Sequence, residues 1–279
     1  MNMAKTVFLL PVYNAGKFLD ECLEGILGQS FTDFRLIACN DGSKDTSLQI
    51  LQEYAAKDPR VTVLDNPQNL GIVGTRNRLL KAIPPETEFV AWIDADDVCL
   101  PYRLERQMEF LTEHPEVGGV GSSLEIIDEN SQVTGFRSYP CNPGEIRKKL
   151  PLSNILAQPA MLLRREVINK TGEYSTSCPV CQDYEYWLRA FDHCEFANLP
   201  EPVIRYRIST TQVKQSKLKL SLSITLKIQR DYYKRNYRWM PWAVLIRQLG
   251  GMGLMLLPSQ WILKLFCFLT YRKKRANKK

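Results

Sequence analysis

The sequence predicts an α/β protein: a doubly wound, mostly parallel sheet followed by a basic helical extension at the C-terminal end. Three observations predict it. Short apolar runs alternate with helix-spaced apolar stripes four times in about the first hundred residues, the pattern of strands joined by crossover helices. Each apolar run ends in a polar turn, which gathers the acids and arginines of those turns at one sheet edge. Charge then changes character along the chain. Residues 213–279 hold 16 Lys and Arg against one acid, Asp231, whereas the remainder holds 21 bases against 29 acids, so a net of +15 follows a net of −8.

The elements follow in order. Residues 7–10 are a first strand, stopped by the turn Pro11-Val-Tyr-Asn14. Phe18, Leu19, Cys22, Leu23, Ile26 and Leu27 then recur on one helical face. A second strand over 34–39 runs into Asn40-Asp-Gly-Ser-Lys-Asp-Thr-Ser47, where Ser43 or Asp45 is placed to cap a helix reaching residue 56. Residues 61–64 make a third strand, and the turn-rich 66–71 leads to a helix carrying Thr75-Arg-Asn-Arg78 near its start. The fourth strand, 89–93, is too short to be a helix and ends in Asp94, Asp96 and Asp97. Beyond it the spacing predicts a helix over 101–113, strands over 117–127, 158–163 and 203–207, and an amphipathic helix over 183–191 with its acids in the first turn, where the helix dipole favours them.

From about residue 214 Leu and Ile interleave with Lys in a helix-forming context. Segments 239–257 and 261–271 are strongly apolar but broken by Arg247, Pro258 and Lys264, so neither supplies the ~20 uninterrupted apolar residues of a spanning helix. With Trp239, Trp242, Trp261, Tyr271 and basic flanks, they suit helices lying in a membrane interface and drawn to anionic lipid. The expected division is 1–212 for the α/β domain and 213–279 for the membrane-associating region. A nucleic-acid partner is disfavoured, because the basic residues alternate with Leu and Trp instead of forming a polar stripe. Residues 1–5 lead into a strand with no visible signal peptide, so the expected location is cytoplasmic, peripheral on the cytoplasmic face of the membrane.

The eight cysteines are scattered, several of them in apolar runs, as reduced core thiols are. Cys178-Pro-Val-Cys181 with His193 and Cys194 could supply four zinc ligands, but the spacing matches no finger and no metal is assigned there.

The chemistry points to the 89–97 stretch. Carboxylates crowded at a strand end repel, and a divalent cation with hard oxygen ligands relieves them. Asp97 alone fits a cap for the helix beginning near Pro101; Asp94 and Asp96 together fit a metal edge. With Asp41 one strand away and Arg76 nearby, the edge suits a phosphate-containing ligand. The chain has no P-loop lysine motif and no GxGxxG turn, so metal and basic side chains must hold the phosphates. Asp183, opening a helix, is the candidate general base, although its local sequence by itself fits an acid favoured by the helix N-terminus better.

Together Pro11-Val-Tyr-Asn14, Gln29-Ser-Phe-Thr-Asp-Phe34, the 40–47 and 69–77 stretches, Trp92-Ile-Asp-Ala-Asp-Asp97 with Pro101, and Gln182-Asp-Tyr-Glu-Tyr-Trp-Leu-Arg189 resemble the inverting family-two glycosyltransferases of the GT-A fold. The resemblance covers about residues 5–208. It implies a GT-A doubly wound mixed sheet. It also implies that Pro11 and Asp41 border the nucleotide base, Arg76 lies near base or phosphate, and Asp94 meets the ribose. Tyr13, Asn14 and Ala95 complete the donor-binding set, Asp96 ligates Mg2+ or Mn2+ on the diphosphate, and Asp183 deprotonates the acceptor hydroxyl.

Two departures stand out. Asn40 occupies a position that is often acidic in the family, and Tyr206-Arg-Ile-Ser209 stands where many relatives have Tyr-Arg-x-His, which shifts phosphate or metal support onto Arg207. The function implied is transfer of a sugar from a nucleotide-diphosphate donor, most simply UDP-linked, to a lipid-linked saccharide of a surface polysaccharide. The alternatives are a polyprenyl-phosphate acceptor and a non-catalytic nucleotide-sugar-binding partner at the membrane.

Overall fold

In the computed structural model, which describes residues 5–208, 215–237, 241–255, 257–258, 261 and 272–273, the first apolar run becomes β1, Thr6–Val12, buried along its whole length. Its side chains alternate between two cores. Phe8, Leu10 and Val12 face one side with Leu19, Leu23 and Ile26, while Val7 and Leu9 face the other with Leu79, Trp92 and Trp187. Both faces of the strand are apolar because helices cover both, as a doubly wound sheet requires. Truncating a side chain such as Leu9 to Ala in this setting costs roughly 2–5 kcal/mol.

The expected alternation follows: α1 Leu19–Leu27, β2 Phe34–Asn40, α2 Ser47–Lys57, β3 Val61–Asp65, α3 Gly71–Lys81 and β4 Phe89–Trp92. These four strands are parallel, in the order β3-β2-β1-β4. A two-residue strand β5, Val98–Cys99, precedes α4, Arg103–Glu113. Then come β6 Val117–Ile127, β7 Val133–Arg137, α5 Pro143–Lys149, β8 Leu162–Arg164, α6 Arg165–Thr171, α7 Gln182–Ala190 and β9 Glu195–Arg207.

This second half departs from the mostly parallel sheet that the apolar runs suggest and agrees with the mixed GT-A sheet that the family resemblance implies. The crossover pattern stops after α4; β8 inserts between β4 and β6 and runs antiparallel to both, β7 is antiparallel to β6, and only β9 returns parallel to it. The sheet is mixed. Two local expectations also change. Residues 158–160 form one 3-10 turn around Pro159, which cannot donate to a ladder, leaving only Leu162–Arg164 as strand. The strand expected over 203–207 is the end of the 13-residue β9, which absorbs Pro200 and Pro202 through register shifts against Ser122 and Ser123.

The expected boundary at 212/213 falls outside the described residues, and the chain beyond it packs on the same core. On α8, Gln215–Asn236, the buried Ile228, Tyr232 and Tyr233 join the core of Leu9 and Trp92, and Gln229 donates to Leu152 O at 2.7 Å. On α9, Trp242–Leu254, Val244 is buried in that core, but Trp242, Ile246, Leu249 and Met252 are exposed. Residues Arg272–Lys273, β10, pair with β7 at the sheet edge. No helix among the described residues is long and apolar enough to cross a membrane.

Candidate active site

The carboxyl ends of β1, β2 and β4 form one wall of the site, and hydrogen bonds between their turns set its shape. Asn14 takes the left-handed conformation (φ 48°) that Asn tolerates, its Oδ1 accepts from Lys44 N at 2.8 Å, and its own N–H donates to Ser43 Oγ at 3.0 Å. Gly42, at φ +66°, packs so closely on the 66–70 loop that a Cβ would lie 2.9 Å from Asn69 N. That approach lets the buried Asp41 accept through Oδ1 from Asn66 Nδ2 (2.7 Å) and Leu70 N (2.8 Å). Asn40 Nδ2 donates to Asp65 Oδ1 at 2.7 Å, a bond that an acid at position 40 would replace with like-charge repulsion.

The turn after β4 holds three carboxylates in three different states. Asp94 receives Arg76 Nη2 at 3.2 Å. Arg76 is buried on α3 with its guanidinium over the rings of Trp92 and Tyr174, and its Nε and Nη1 have no hydrogen-bond partner. Burial works against its charge, but Asp94, Tyr174 and Asp183 outweigh that and raise its pKa. Burial, reinforced by the charge of Asp94, pushes Asp96 up to about 6. Asp97 is fully buried; it accepts from Arg207 N at 2.8 Å instead of capping α4, and burial drives its pKa well up. Beneath the turn the fully buried Arg103 donates to Trp92 O at 2.7 Å and braces the end of β4.

Arg207 corrects the expectation that it binds phosphate. Its guanidinium is buried, stacked over Phe18, and committed to Glu21 Oε2 (2.5 Å), Asp96 O (2.8 Å), Asp128 O (2.9 Å) and Ser131 Oγ (3.0 Å). It holds the backbone of Asp96 in place. Ser209 lies outside the described residues.

Two cavities meet at this turn. One, of about 520 Å³, is lined by Pro11, Tyr13, Asn14, Asp94, Ala95 and Asp96; the other, of about 480 Å³, contains Asn154 and Asp183. Arg76, Asp94, Gln182 and Tyr206 belong to both. Asp183 sits in the first turn of α7, after Cys181 in a left-handed conformation (φ 55°), and its Oδ2 accepts from Asn154 Nδ2 at 2.8 Å. Burial raises its pKa, against the pull of Arg76, the Tyr184 N–H and the Asn154 amide.

Residues 7–172 match the family described as Glycosyl transferase family 2. The chain belongs to that family. Among curated relatives, the chain is 29% identical over 216 residues to the O-antigen biosynthesis glycosyltransferase WbnJ of Escherichia coli, covering 75% of this chain and 82% of WbnJ. It is 25% identical over 241 residues to the E. coli UDP-Glc:alpha-D-GlcNAc-diphosphoundecaprenol beta-1,3-glucosyltransferase WfgD, covering 82% of this chain and 90% of WfgD. The fold matches that of S. aureus TarS 1-349 solved with UDP, with a TM-score of 0.56 and 20% identity over 84% of this chain and 72% of that one. The sheet is therefore that of the GT-A glycosyltransferases. Lengths differ among the matches: the chain spans 65% of a Haemophilus influenzae glycosyltransferase and 48% of a longer TarS chain.

Of the residues expected in a family-2 donor site, Pro11, Tyr13, Asn14, Arg76, Asp94, Ala95 and Asp96 come together in the first cavity, and Asp183 faces the second. Asp41 and Arg207 line neither; Asp41 shapes the loop behind the wall. Asn154, Gln182, Tyr206 and, from the tail, Thr225 and Arg247 are cavity residues that sequence reasoning did not select. Gln182 and Tyr206 stood inside quoted motifs, whereas Asn154 carries no local signal.

No three His, Cys, Asp or Glu side chains among the described residues converge as a closed metal site, the 178–194 cluster included. The donor set of the β4 turn fits an open one. Mg2+ and Mn2+ accept one or two protein carboxylates and take remaining ligands from phosphate oxygens and water, and a cation beside Asp96 and Asp94 would offset the carboxylate charge that burial, reinforced by Asp94, disfavours at Asp96.

Proposed function

We propose that this chain is a metal-dependent, inverting glycosyltransferase that moves a sugar from a UDP-linked donor to a lipid-linked saccharide of a surface polysaccharide, acting as a peripheral protein on the cytoplasmic face of the membrane. One observation carries this reading: Arg76 and Asp94 belong to both cavities, so a donor against the β4 turn and an acceptor beside Asp183 meet at a single point.

The nucleotide lies along Pro11, Tyr13 and Asn14 with Asp41 behind them, the ribose meets Asp94, and the diphosphate lies toward Arg76 and Asp96. Asp96, with Asp94 beside it, holds Mg2+ or Mn2+, which when bound offsets charge on the departing diphosphate. Arg76 adds a fixed guanidinium whose Nε and Nη1 lack a protein partner. The Asp183 carboxylate takes the proton of the acceptor hydroxyl. That oxygen bonds to the anomeric carbon as the bond to the diphosphate breaks, and the bonding pair leaves on the diphosphate oxygen. A single in-line displacement inverts the carbon and leaves the proton on Asp183. A polyprenyl-phosphate nucleophile would arrive already ionised, with no proton for this base to take.

The donor and acceptor classes draw support from WfgD, whose name specifies UDP-glucose and a diphosphoundecaprenol-linked sugar. The membrane contact draws support from the exposed Trp242, Ile246 and Leu249 within a tail of net charge +15.

The test is a panel of UDP-, GDP- and dTDP-sugars with Mg2+, Mn2+ or EDTA. Metal-dependent release of UDP from one UDP-sugar is expected. Turnover confined to GDP-sugars would remove the donor assignment, and turnover undiminished by EDTA would remove the metal.

A further inference from the structure

We infer that Glu21 of α1 is a positioning residue for the cation edge: through Arg207 it fixes how the turn after β4 presents Asp96, and so sets the affinity for the metal. The inference rests on the transferase reading above. Each nitrogen of the Arg207 guanidinium is engaged: Nη2 donates to Glu21 Oε2 at 2.5 Å, Nη1 to Asp128 O at 2.9 Å and Ser131 Oγ at 3.0 Å, and Nε to Asp96 O at 2.8 Å. The backbone N–H of Arg207 donates to Asp97 Oδ1 at 2.8 Å. One residue thus grips the carbonyl of the proposed metal ligand and the carboxylate that follows it. Ser131 Oγ donates in turn to Glu21 Oε2 at 2.7 Å, which closes a ring around Ser131, itself in the left-handed conformation (φ 61°).

Charge gives Glu21 its weight in this ring. The Arg207 side chain is fully buried and cannot shed its proton, so it needs a carboxylate beside it. Glu21 is an acid with which the guanidinium pairs directly. Burial opposes the ionised forms of Asp96 and Asp97, and the Arg207 charge favours them, so those two carboxylates also attract the guanidinium. Without the Glu21 charge the guanidinium is drawn toward them, in competition with a cation for the same carboxylates. Glu21 therefore balances that pull and keeps Nε on the Asp96 carbonyl. Phe18, which lines the donor cavity, lies over the guanidinium at 4.4 Å, so the same clamp supports the cavity wall. A purely structural tie also joins the start of α1 to the turn between β6 and β7: Lys17 pairs with Glu129 at 3.2 Å, at an exposed site. That pair supplies the control.

The Mn2+ affinity of the full chain with UDP bound is measured by the paramagnetic resonance of the free ion, alongside the thermal midpoint. Glu21→Gln keeps a hydrogen-bond acceptor but not the charge, and should weaken Mn2+ binding by about tenfold or more while UDP affinity in EDTA changes by less than about twofold. Lys17→Gln should leave Mn2+ affinity within about twofold of wild type, whatever it does to the midpoint, because it removes only an exposed pair. Equal Mn2+ affinity in wild type and Glu21→Gln overturns the inference. So does an equal loss in Lys17→Gln, which would reduce Glu21 to a tie between α1 and that turn. Should Glu21→Gln fail to fold, Ser131→Ala decides: it removes one hydrogen bond to each of Glu21 and Arg207 and should weaken Mn2+ by about threefold, and an unchanged affinity overturns the inference. A wild type whose UDP binding shows no metal response removes the parent reading and the clamp with it. A wild-type metal response that Glu21→Gln leaves intact removes the clamp alone.

Discussion

The turn after β4 and the first turn of α7 both hold aspartates withdrawn at least partly from water, and both raise a carboxyl pKa, but they meet that cost by different means. In the β4 turn Asp94, Asp96 and Asp97 crowd one another; Arg76 serves Asp94, the Arg207 backbone serves Asp97, and Asp96 is pushed to about 6 by burial and its neighbour. At α7 a single acid, Asp183, is raised by burial and steadied by Arg76, a backbone N–H and the Asn154 amide. The first arrangement concentrates three acids in four residues, whose charge the proposed cation would offset. The second has its partners within the protein, and burial raises the basicity of its one carboxylate. Under the proposed function the same residue type would give a cation-accepting edge in one place and a preset base in the other, according to how many acids share the site.

Four experiments can break or sharpen that contrast. The largest effect belongs to Asp183→Asn, which should lower the transfer rate by about 10²–10⁴-fold. UDP affinity, measured calorimetrically, should stay within about twofold, and a near-wild-type rate would take the base away from α7. Asp96→Asn should cut metal-dependent UDP affinity by about 10–100-fold; a titration that keeps its metal response would show that the β4 turn does not need the cation.

Asn154→Ala removes one hydrogen bond to a charged acceptor and should lower kcat by about tenfold with KM for the donor unchanged. Its pH profile is the sharper readout. Asp183 acts only when ionised, so the wild-type rate falls as pH drops through a pKa that lies above the ordinary 3.8. The Asn154 bond lowers that pKa, so its loss should move the acid limb to higher pH; an unmoved limb would mean that Asn154 does not tune the base. The smallest effect is expected from Trp242→Ser, which should weaken anionic-vesicle binding by about fivefold, the scale of burying part of a large apolar side chain. It leaves UDP binding as a control for folding.

The parallel half of the fold was legible because crossover strands are short, apolar and buried on both faces, so 7–10, 34–39, 61–64 and 89–93 announce themselves. The mixed half was not. Nothing local marks β8 as a three-residue antiparallel insertion, and Pro200 and Pro202 conceal a strand that register shifts allow. Within the site, Asp94 and Asp96 declared themselves by crowding, whereas Asp183 was selected by family resemblance and then met its partner Asn154 across a stretch with no periodic pattern. Arg207 was placed on the ligand because spacing cannot reveal that Glu21, 186 residues away, takes its guanidinium.

By itself the sequence determined the alternation of the first hundred or so residues, the acidic edge after the fourth strand and the switch to a basic, apolar tail, because each is a local matter of period, composition and charge. Tertiary structure alone decided that the edge and Asp183 share Arg76 between two cavities, and that the tail packs on the core and brings Thr225 and Arg247 to the cavity of Asp183. Which side chains converge depends on the order in which strands enter the sheet, and that order is settled by burying both faces together, a property of the whole chain and not of any stretch of it.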